Sequence, residues 1–242
     1  MAMIQGFVSD TEKFTLDGTS SDTLGIYCDF LPPVPAAEQL YTTFNTGADE
    51  MGTTPDDVFN DIPYQIRFYT FLADDYNDIA IKAFCTGKSI LTLSKCPEYY
   101  FKIRRMKLTA TDSIGYGKRI DYVLTLTLAP FRYAVDNDWN DVVVLDRTTV
   151  YNLHTRYSKP TIQLTGSGAV SILCQGSEFQ INGLENNQTV VVDSMRKITY
   201  SGNTLLTGKT EGEYPLFNAG TNALQFSQAV TAAKYKGNWR DY

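Results

Sequence analysis

Apolar and polar positions alternate with a period of two along most of this chain. Tyr122, Leu124, Leu126 and Leu128 share one face of a segment whose other face carries Val123, Thr125 and Thr127, which makes it the clearest strand in the sequence. Tyr64–Phe71 alternates in the same way, and Leu224 and Phe226 oppose Gln225 and Ser227 near the C-terminus. Phe101 and Ile103 fall on odd positions, whereas Met106, Leu108 and Ala110 fall on even ones, a change of parity that predicts a β-bulge between them. Phe14–Gly18 ends in Asp-Gly, and Leu24–Cys28 resumes the apolar pattern, so a hairpin is expected there. Leu31-Pro-Pro-Val-Pro35 lacks the donors of a central strand and reads as an edge or arm, followed by a strand over Gln39–Phe44 and a polar interruption over 45–57. The one helix predicted starts at Asp74-Asp75 and stops near Gly87.

Ala129-Pro130 is expected to end the central strand, and the acidic stretch 134–141 reads as a connector. Domains are therefore placed at 1–134 and 135–242. Beyond the connector, strands are expected at 142–145, 161–165, 169–173, 178–181, 190–193 and 197–200, separated by Gly166-Ser-Gly168, Gly176, Asn186-Asn187 and Ser201-Gly-Asn203. Regular spacing with this turn chemistry predicts a sandwich or jelly roll. Sixteen Tyr and thirteen Phe, with few helix-forming windows, favour sheets as well.

Charge and composition remove several function classes. A formal charge of −6 argues against holding nucleic acid through its phosphates. The one basic cluster, Lys102, Arg104, Arg105 and Lys107, reads as a solvated strand face rather than a nucleic-acid footprint. No stretch approaches the ~20 apolar residues of a membrane helix, and the N-terminus does not look like an export signal. Cys28, Cys85, Cys96 and Cys174 are widely spaced and read as free thiols packed in apolar surroundings in a reducing cell.

Candidate chemistry is sparse. A single histidine, His154, rules out Ser-His-Asp, Cys-His and multi-histidine metal arrangements by count, and reads as a loop or interface residue. Gly115-Tyr-Gly117 lies between strands and lacks the third glycine of a dinucleotide turn. Asp56-Asp57, Asp74-Asp75 and Asp136–Asp141 sit in turn or cap contexts, which weakens a glycosidase reading, and Asp136, Asp138 and Asp141 lack the glycine and distal Glu of a calcium loop. Trp139, Tyr151 and Tyr157 are candidates for stacking on a cell-wall sugar; Trp239 reads as packing. No enzyme activity, cofactor or metal is expected.

Several short motifs, in order, resemble the distal tail protein (Dit) family of long-tailed bacteriophages that infect Gram-positive bacteria. Phe14–Gly18, Leu24-Gly-Ile26, the helix near Asp75–Gly87, Leu91-Thr-Leu93, Tyr99-Tyr-Phe101 and Leu128-Ala-Pro130 match its first domain. Lys159–Gly168, Tyr214-Pro-Leu216, Gly220-Thr-Asn222 and Trp239-Arg240 look like its second. Where many relatives carry a Gly-Arg-Asp type turn, this chain has Asn45-Thr-Gly-Ala-Asp49. The resemblance implies a mainly β protein. Its N-terminal sandwich, with one short helix, would be tail-tube-like and close into a hexameric ring, and its C-terminal sandwich would be galectin-like or carbohydrate-module-like. It implies a virion tail-tip hub, assembled in the bacterial cytoplasm. Its partners would be the tail-tube protein, the tail-associated lysin or tip protein and the receptor-binding apparatus, with a channel for DNA ejection. Asp74, Asp75 and Asp78 are candidates to face that channel. A carbohydrate-binding module for host adhesion is the alternative, and the number of stacked rings stays open.

Overall fold

Residues that alternate between core and solvent pair most economically as long antiparallel strands, and both halves of the chain are built on one such hairpin. The computed structural model describes residues 12–45, 51–71, 75–111, 119–144 and 146–241 and, at 42–45, 51–57, 75–77 and 111, the backbone alone. The protein is mainly β, and its contacts divide it into a first unit up to Val135 and a second from Asp136 to Asp241.

The first unit contains β1 (Phe14–Leu16), β2 (Thr19–Ser20), β3 (Ile26–Tyr27), β4 (Gln39–Asn45), β5 (Met51–Phe59), β6 (Ile62–Phe71), helix α1 (Asp75–Phe84), β7 (Ile90–Leu93), β8 (Tyr99–Thr111) and β9 (Arg119–Ala134). An antiparallel sheet runs β2-β1-β7-β8-β9-β6-β3, and β4 and β5 form a separate ribbon. Ile62, Tyr64, Ile66 and Phe68 of β6 and Tyr122, Leu124, Leu126 and Leu128 of β9 point into one core. Helix α1 adds Ile81 and Phe84 to that core. Phe14, fully buried, lies 5.8 Å from both Phe68 and Phe84 and so links sheet to helix. The turn at Asp17-Gly18 has φ 46° and 83°, the left-handed pair that a two-residue hairpin requires. The Asp17 carboxylate then accepts the backbone N–H groups of Ser89 and Ile90, fastening the start of β7.

The second unit contains β10 (Asn140–Val142), β11 (Thr148–Asn152), β12 (Thr161–Cys174), β13 (Ser177–Asp193), β14 (Ile198–Ser201), β15 (Thr204–Leu205), β16 (Thr210–Gly212), β17 (Gly220–Phe226), β18 (Val230–Lys236) and β19 (Arg240–Asp241). The β12–β13 hairpin spans two layers. The first half of β12 pairs with β18 and its last residues with β17; the two ends of β13 pair with β16 and β14. Strands that change partners at bulges make the corners of a folded sandwich. Ile162, Leu164, Ile172, Phe179, Val192, Phe217 and Leu224 fill the interior.

Four expectations need correction. Leu24–Cys28 does not return to β1; β3 crosses to pair with β6, and β1 pairs with β2 and β7 instead. Within the polar stretch 45–57, residues 46–50 lie outside the described residues and the others are strand, because β5 pairs with β4 through backbone groups and needs no apolar alternation. Pro130 does not end the central strand: β9 continues to Ala134, with the β8–β9 register shifting at Phe101/Ile103 opposite Leu128–Arg132. Proline, lacking a donor, is tolerated where a bulge interrupts the ladder. Neither Gly166-Ser-Gly168 nor Asn186-Asn187 separates strands: the first bends β12, with register shifts on either side of Gly168, and the second lies within β13. A Cβ on Gly166 would meet the Ala229 carbonyl and Val170 Cγ1 at 2.8 Å, so the bend needs a residue without one. The shift expected between Phe101 and Met106 is present, at Phe101/Ile103 and again at Ile103/Arg105.

Because Phe14 is fully buried and joins three elements, Phe14→Ala is expected to cost about 3–5 kcal/mol. Urea unfolding, read as a lower midpoint at unchanged slope, checks this.

Candidate interaction surfaces

The β3–β6 pairing covers only Ile26↔Thr70 and Tyr27↔Tyr69, which sets two tyrosine rings opposite each other at the sheet edge. They stack at 5.5 Å, and Phe71 meets both edge-on. Arg119, opposite Phe71, places its guanidinium 3.9 Å over the Tyr69 ring and is held there by two hydrogen bonds to Asp121 Oδ1, at 2.7 and 3.0 Å. Hydrogen bonding to Asp121 raises the Arg119 pKa further, and burial, with Asp29 nearby, raises that of the Tyr69 phenol. Beside this cluster lies an open groove of about 830 Å³ whose walls include Asp29, Phe30, Gln65, Arg67 and Tyr69. Phe30 and Phe71 are more than half exposed. Aromatic walls with paired charges at the rim are the chemistry of a protein-docking surface.

The remaining edge of β6 is managed by the proline arm. Tyr64 donates its hydroxyl to the Pro32 carbonyl, and the Cys28 thiol donates to the Arg67 carbonyl, so a segment poor in donors runs where another strand would otherwise add. The basic cluster of β8 is dispersed, as a solvated face would be. Lys102 lies 4.0 Å over the Tyr133 ring, Arg104 pairs with Asp61 at 3.1 Å, and Arg105 and Lys107 are exposed opposite Thr127 and Thr125.

Of the acids proposed for a channel, Asp74 lies outside the described residues, and Asp75 is the first residue of α1, described by its backbone alone. Asp78 is engaged. It accepts from Lys82 Nζ at 2.5 Å and from the Tyr122 hydroxyl at 2.9 Å, tying the helix to the central strand. The hydrogen bond from Lys82, outweighing burial, holds the Asp78 carboxyl below its ordinary pKa.

The sugar-stacking candidates differ in what covers them. Lys234 and Lys236 place their ammonium groups 5.0 and 5.2 Å from the Trp139 ring. Tyr157 carries Arg240 at 4.3 Å over its ring, with Arg156 and Lys159 nearby. Tyr151 is 64% exposed, and its ring has no aromatic or cationic neighbour among the described residues. Trp239 packs on Phe217, with ring centres 5.8 Å apart, and lies over Gly237, where a Cβ would overlap the indole.

His154 sits in the loop after β11 and bonds Asp241 Oδ2 through Nδ1 at 2.8 Å. Asp241 Oδ1 also accepts the Thr155 N–H and hydroxyl, so this acid fastens the loop to the C-terminal segment of its own unit. Burial pushes Cys28 and Cys174 up to about 11 and Cys85 up to about 12, which leaves these thiols protonated and poorly nucleophilic at neutral pH. Among the described residues no group of three or more His, Cys, Asp or Glu side chains is arranged to hold a metal ion.

No protein-family model and no curated protein matches the chain. Solved structures do. A crystal structure of the Dit protein (gp 19.1) of phage SPP1, described as a paradigm of the hub adsorption apparatus of phages infecting Gram-positive bacteria, matches with a TM-score of 0.68. The match covers 93% of this chain and 97% of that one, at 12% identity. The protein has a Dit-like fold. Structures of the phage p2 baseplate in its activated conformation match over 93% of this chain and 96% of theirs, also at 12% identity. Their TM-scores are 0.55 with Sr and 0.51 with Ca. The likeness runs through both units of the Dit-like fold, the β12–β13 sandwich as well as the sheet that carries the aromatic groove.

The depressed carboxyl of Asp78 sets a sign for acid stability. Its folded pKa lies below the unfolded value, so its contribution is present above pH ~4 and lost as pH falls through the folded value. Asp78→Asn is therefore expected to lower stability at neutral pH and to flatten the acid limb, as read from thermal midpoints between about pH 7 and 3. An unchanged acid limb would show that the Lys82 contact contributes nothing.

Proposed function

We propose that this protein is a structural hub of a phage tail tip: a hexameric ring that joins the tail tube to the tip protein and the receptor-binding apparatus. The observation that carries the reading is the whole-length likeness to the SPP1 hub protein, covering 93% of this chain and 97% of that one. A fold alone does not assign a function, and the local chemistry supports the reading. Burial keeps the Cys28, Cys85 and Cys174 thiols protonated, His154 is bonded to Asp241, and an open groove of the first unit is walled in part by aromatic side chains. A cyclic ring needs two different surfaces on each protomer that match when the rotation closes. In this reading the first unit supplies the ring.

The central channel of such a ring must let DNA pass without binding it. Asp75 and Asp78 of α1, with Asp74 outside the described residues, are the channel-side candidates, since negative side chains repel phosphates over about a Debye length, ~8 Å at physiological salt. Location in the virion tail, after assembly in the bacterial cytoplasm, follows from the same role.

Mass photometry of the purified full chain tests the ring. The expected species contains about six protomers, or about twelve if rings stack. Monomer at every concentration, together with absence of the protein from purified tail tips, would sink the proposal.

A further inference from the structure

The proline arm of the first unit covers a cavity that contains a cation without a counter-charge. Arg132 continues β9 past the bulge, and its register opposite Phe101 puts both side chains on one face of the β8–β9 pair, the face on which Phe101 is buried. The Arg132 guanidinium lies 4.4 Å over the Tyr99 ring. Its Nε is shut off from solvent with no hydrogen-bond partner, and among the described residues no carboxylate pairs with the side chain. Lys95, the second cation here, differs. Its ammonium bonds Glu12 Oε1 and the Leu31 carbonyl, both at 2.7 Å, so its charge is already matched.

The cavity that these two cations line measures about 290 Å³. Its walls include the buried side chains of Ile62, Leu93 and Phe101, while Pro33, Pro35 and Lys95 are exposed at its rim. That volume lies just under the ~300 Å³ of the smallest ligand pockets, room for one side chain and a small head group. The arm fixes which polar groups are on offer. Pro32, Pro33 and Pro35 carry no N–H, so this wall supplies mainly carbonyl acceptors. Lys95 takes the Leu31 carbonyl and the Tyr64 hydroxyl takes that of Pro32. The Pro33, Val34 and Pro35 carbonyls accept no hydrogen bond among the described residues. Arg132, by contrast, brings donors only.

We propose that this cavity receives the terminal carboxylate of a partner polypeptide whose last residue is apolar. A guanidinium fork matches a carboxylate in both shape and charge. One unbalanced positive charge calls for a monoanion, which selects a carboxylate over a doubly charged phosphate. The Ile62, Leu93 and Phe101 walls take the last side chain of the partner. The free carbonyls of the arm take N–H groups of the chain leading out over the rim, donors that a free fatty acid lacks. Identifying the partner as another tail component rests on the hub reading; the carboxylate site itself does not.

Saturation-transfer NMR on the intact protein with acetyl-glycyl-leucine, its C-terminal amide and hexanoate tests the assignment. The dipeptide acid is expected to bind with a Kd of about 1 mM, the amide about 10-fold and hexanoate about 5-fold more weakly. Arg132→Gln should weaken binding of the acid about 10-fold, and Arg132→Lys, which keeps the charge but not the fork, about 3-fold. Arg132 is half-buried and makes no hydrogen bond among the described residues, so the thermal midpoints of both variants should match the parent's. Mass photometry of Arg132→Gln should give the parent's oligomer, which separates this test from that of the ring. No binding of the acid at about 50 mM, binding of the amide or of hexanoate as tight as that of the acid, or an affinity unchanged in both variants would each overturn the proposal.

Discussion

Two antiparallel hairpins, β8–β9 in the first unit and β12–β13 in the second, set the constraint on which everything else depends. Each strand must keep a buried and a solvated face over more than ten residues, yet sheets twist, and a straight alternation cannot follow a curved core for that distance. Both hairpins solve the conflict with bulges. In β8 the register shifts around Ile103 return the apolar set to the core after the parity change; in β12 the shifts around Gly168 turn the strand from one layer to the other. The first unit carries its aromatic groove at the β3–β6 edge, where β3 pairs with β6 over two residues.

Strand interiors were legible in the sequence wherever a face is buried, because burial writes a period of two into the residues. Tyr122–Leu128 and Tyr64–Phe71 are such cases, and the single helix, bounded by acids and Gly87, is another. The ribbon β4–β5 was only half legible, since backbone pairing leaves no hydrophobic signature on β5. Glycine and proline misled for a definite reason. Gly166 and Pro130 punctuate turns in most contexts, but inside a bulge the same properties, absence of a Cβ or of a donor, let a long strand continue. Partner choice was not legible at all: no pattern within Leu24–Cys28 distinguishes pairing with β1 from pairing with β6.

At the candidate sites the sequence named the right residue type and could not rank its members. Trp139, Tyr151 and Tyr157 look alike as letters, and their availability depends on which cations fold over them. Lys234 and Lys236 cover the first, Arg240 the last, and all three cations are distant in sequence from the rings they meet. The same holds for the Tyr27–Tyr69–Arg119 cluster, whose members come from β3, β6 and β9.

Polar residues buried in the second unit complete the logic. Asn152, Asn222 and Asp241 are nearly or fully inaccessible, and each bonds backbone groups: Asn152 the Arg156 and Phe217 carbonyls, Asn222 the Asn218 and Gly220 carbonyls, Asp241 the Thr155 N–H. Loops between strands leave backbone donors and acceptors that a sheet ladder does not serve, and burying them unpaired costs about 1–3 kcal/mol each. Side-chain amides and a carboxylate serve them here, which lets loop segments pack as tightly as strands. A sandwich whose loops are fixed this way has rigid outward faces, and rigidity lowers the entropy lost when a surface is occupied. That property favours a surface that holds other molecules through shape.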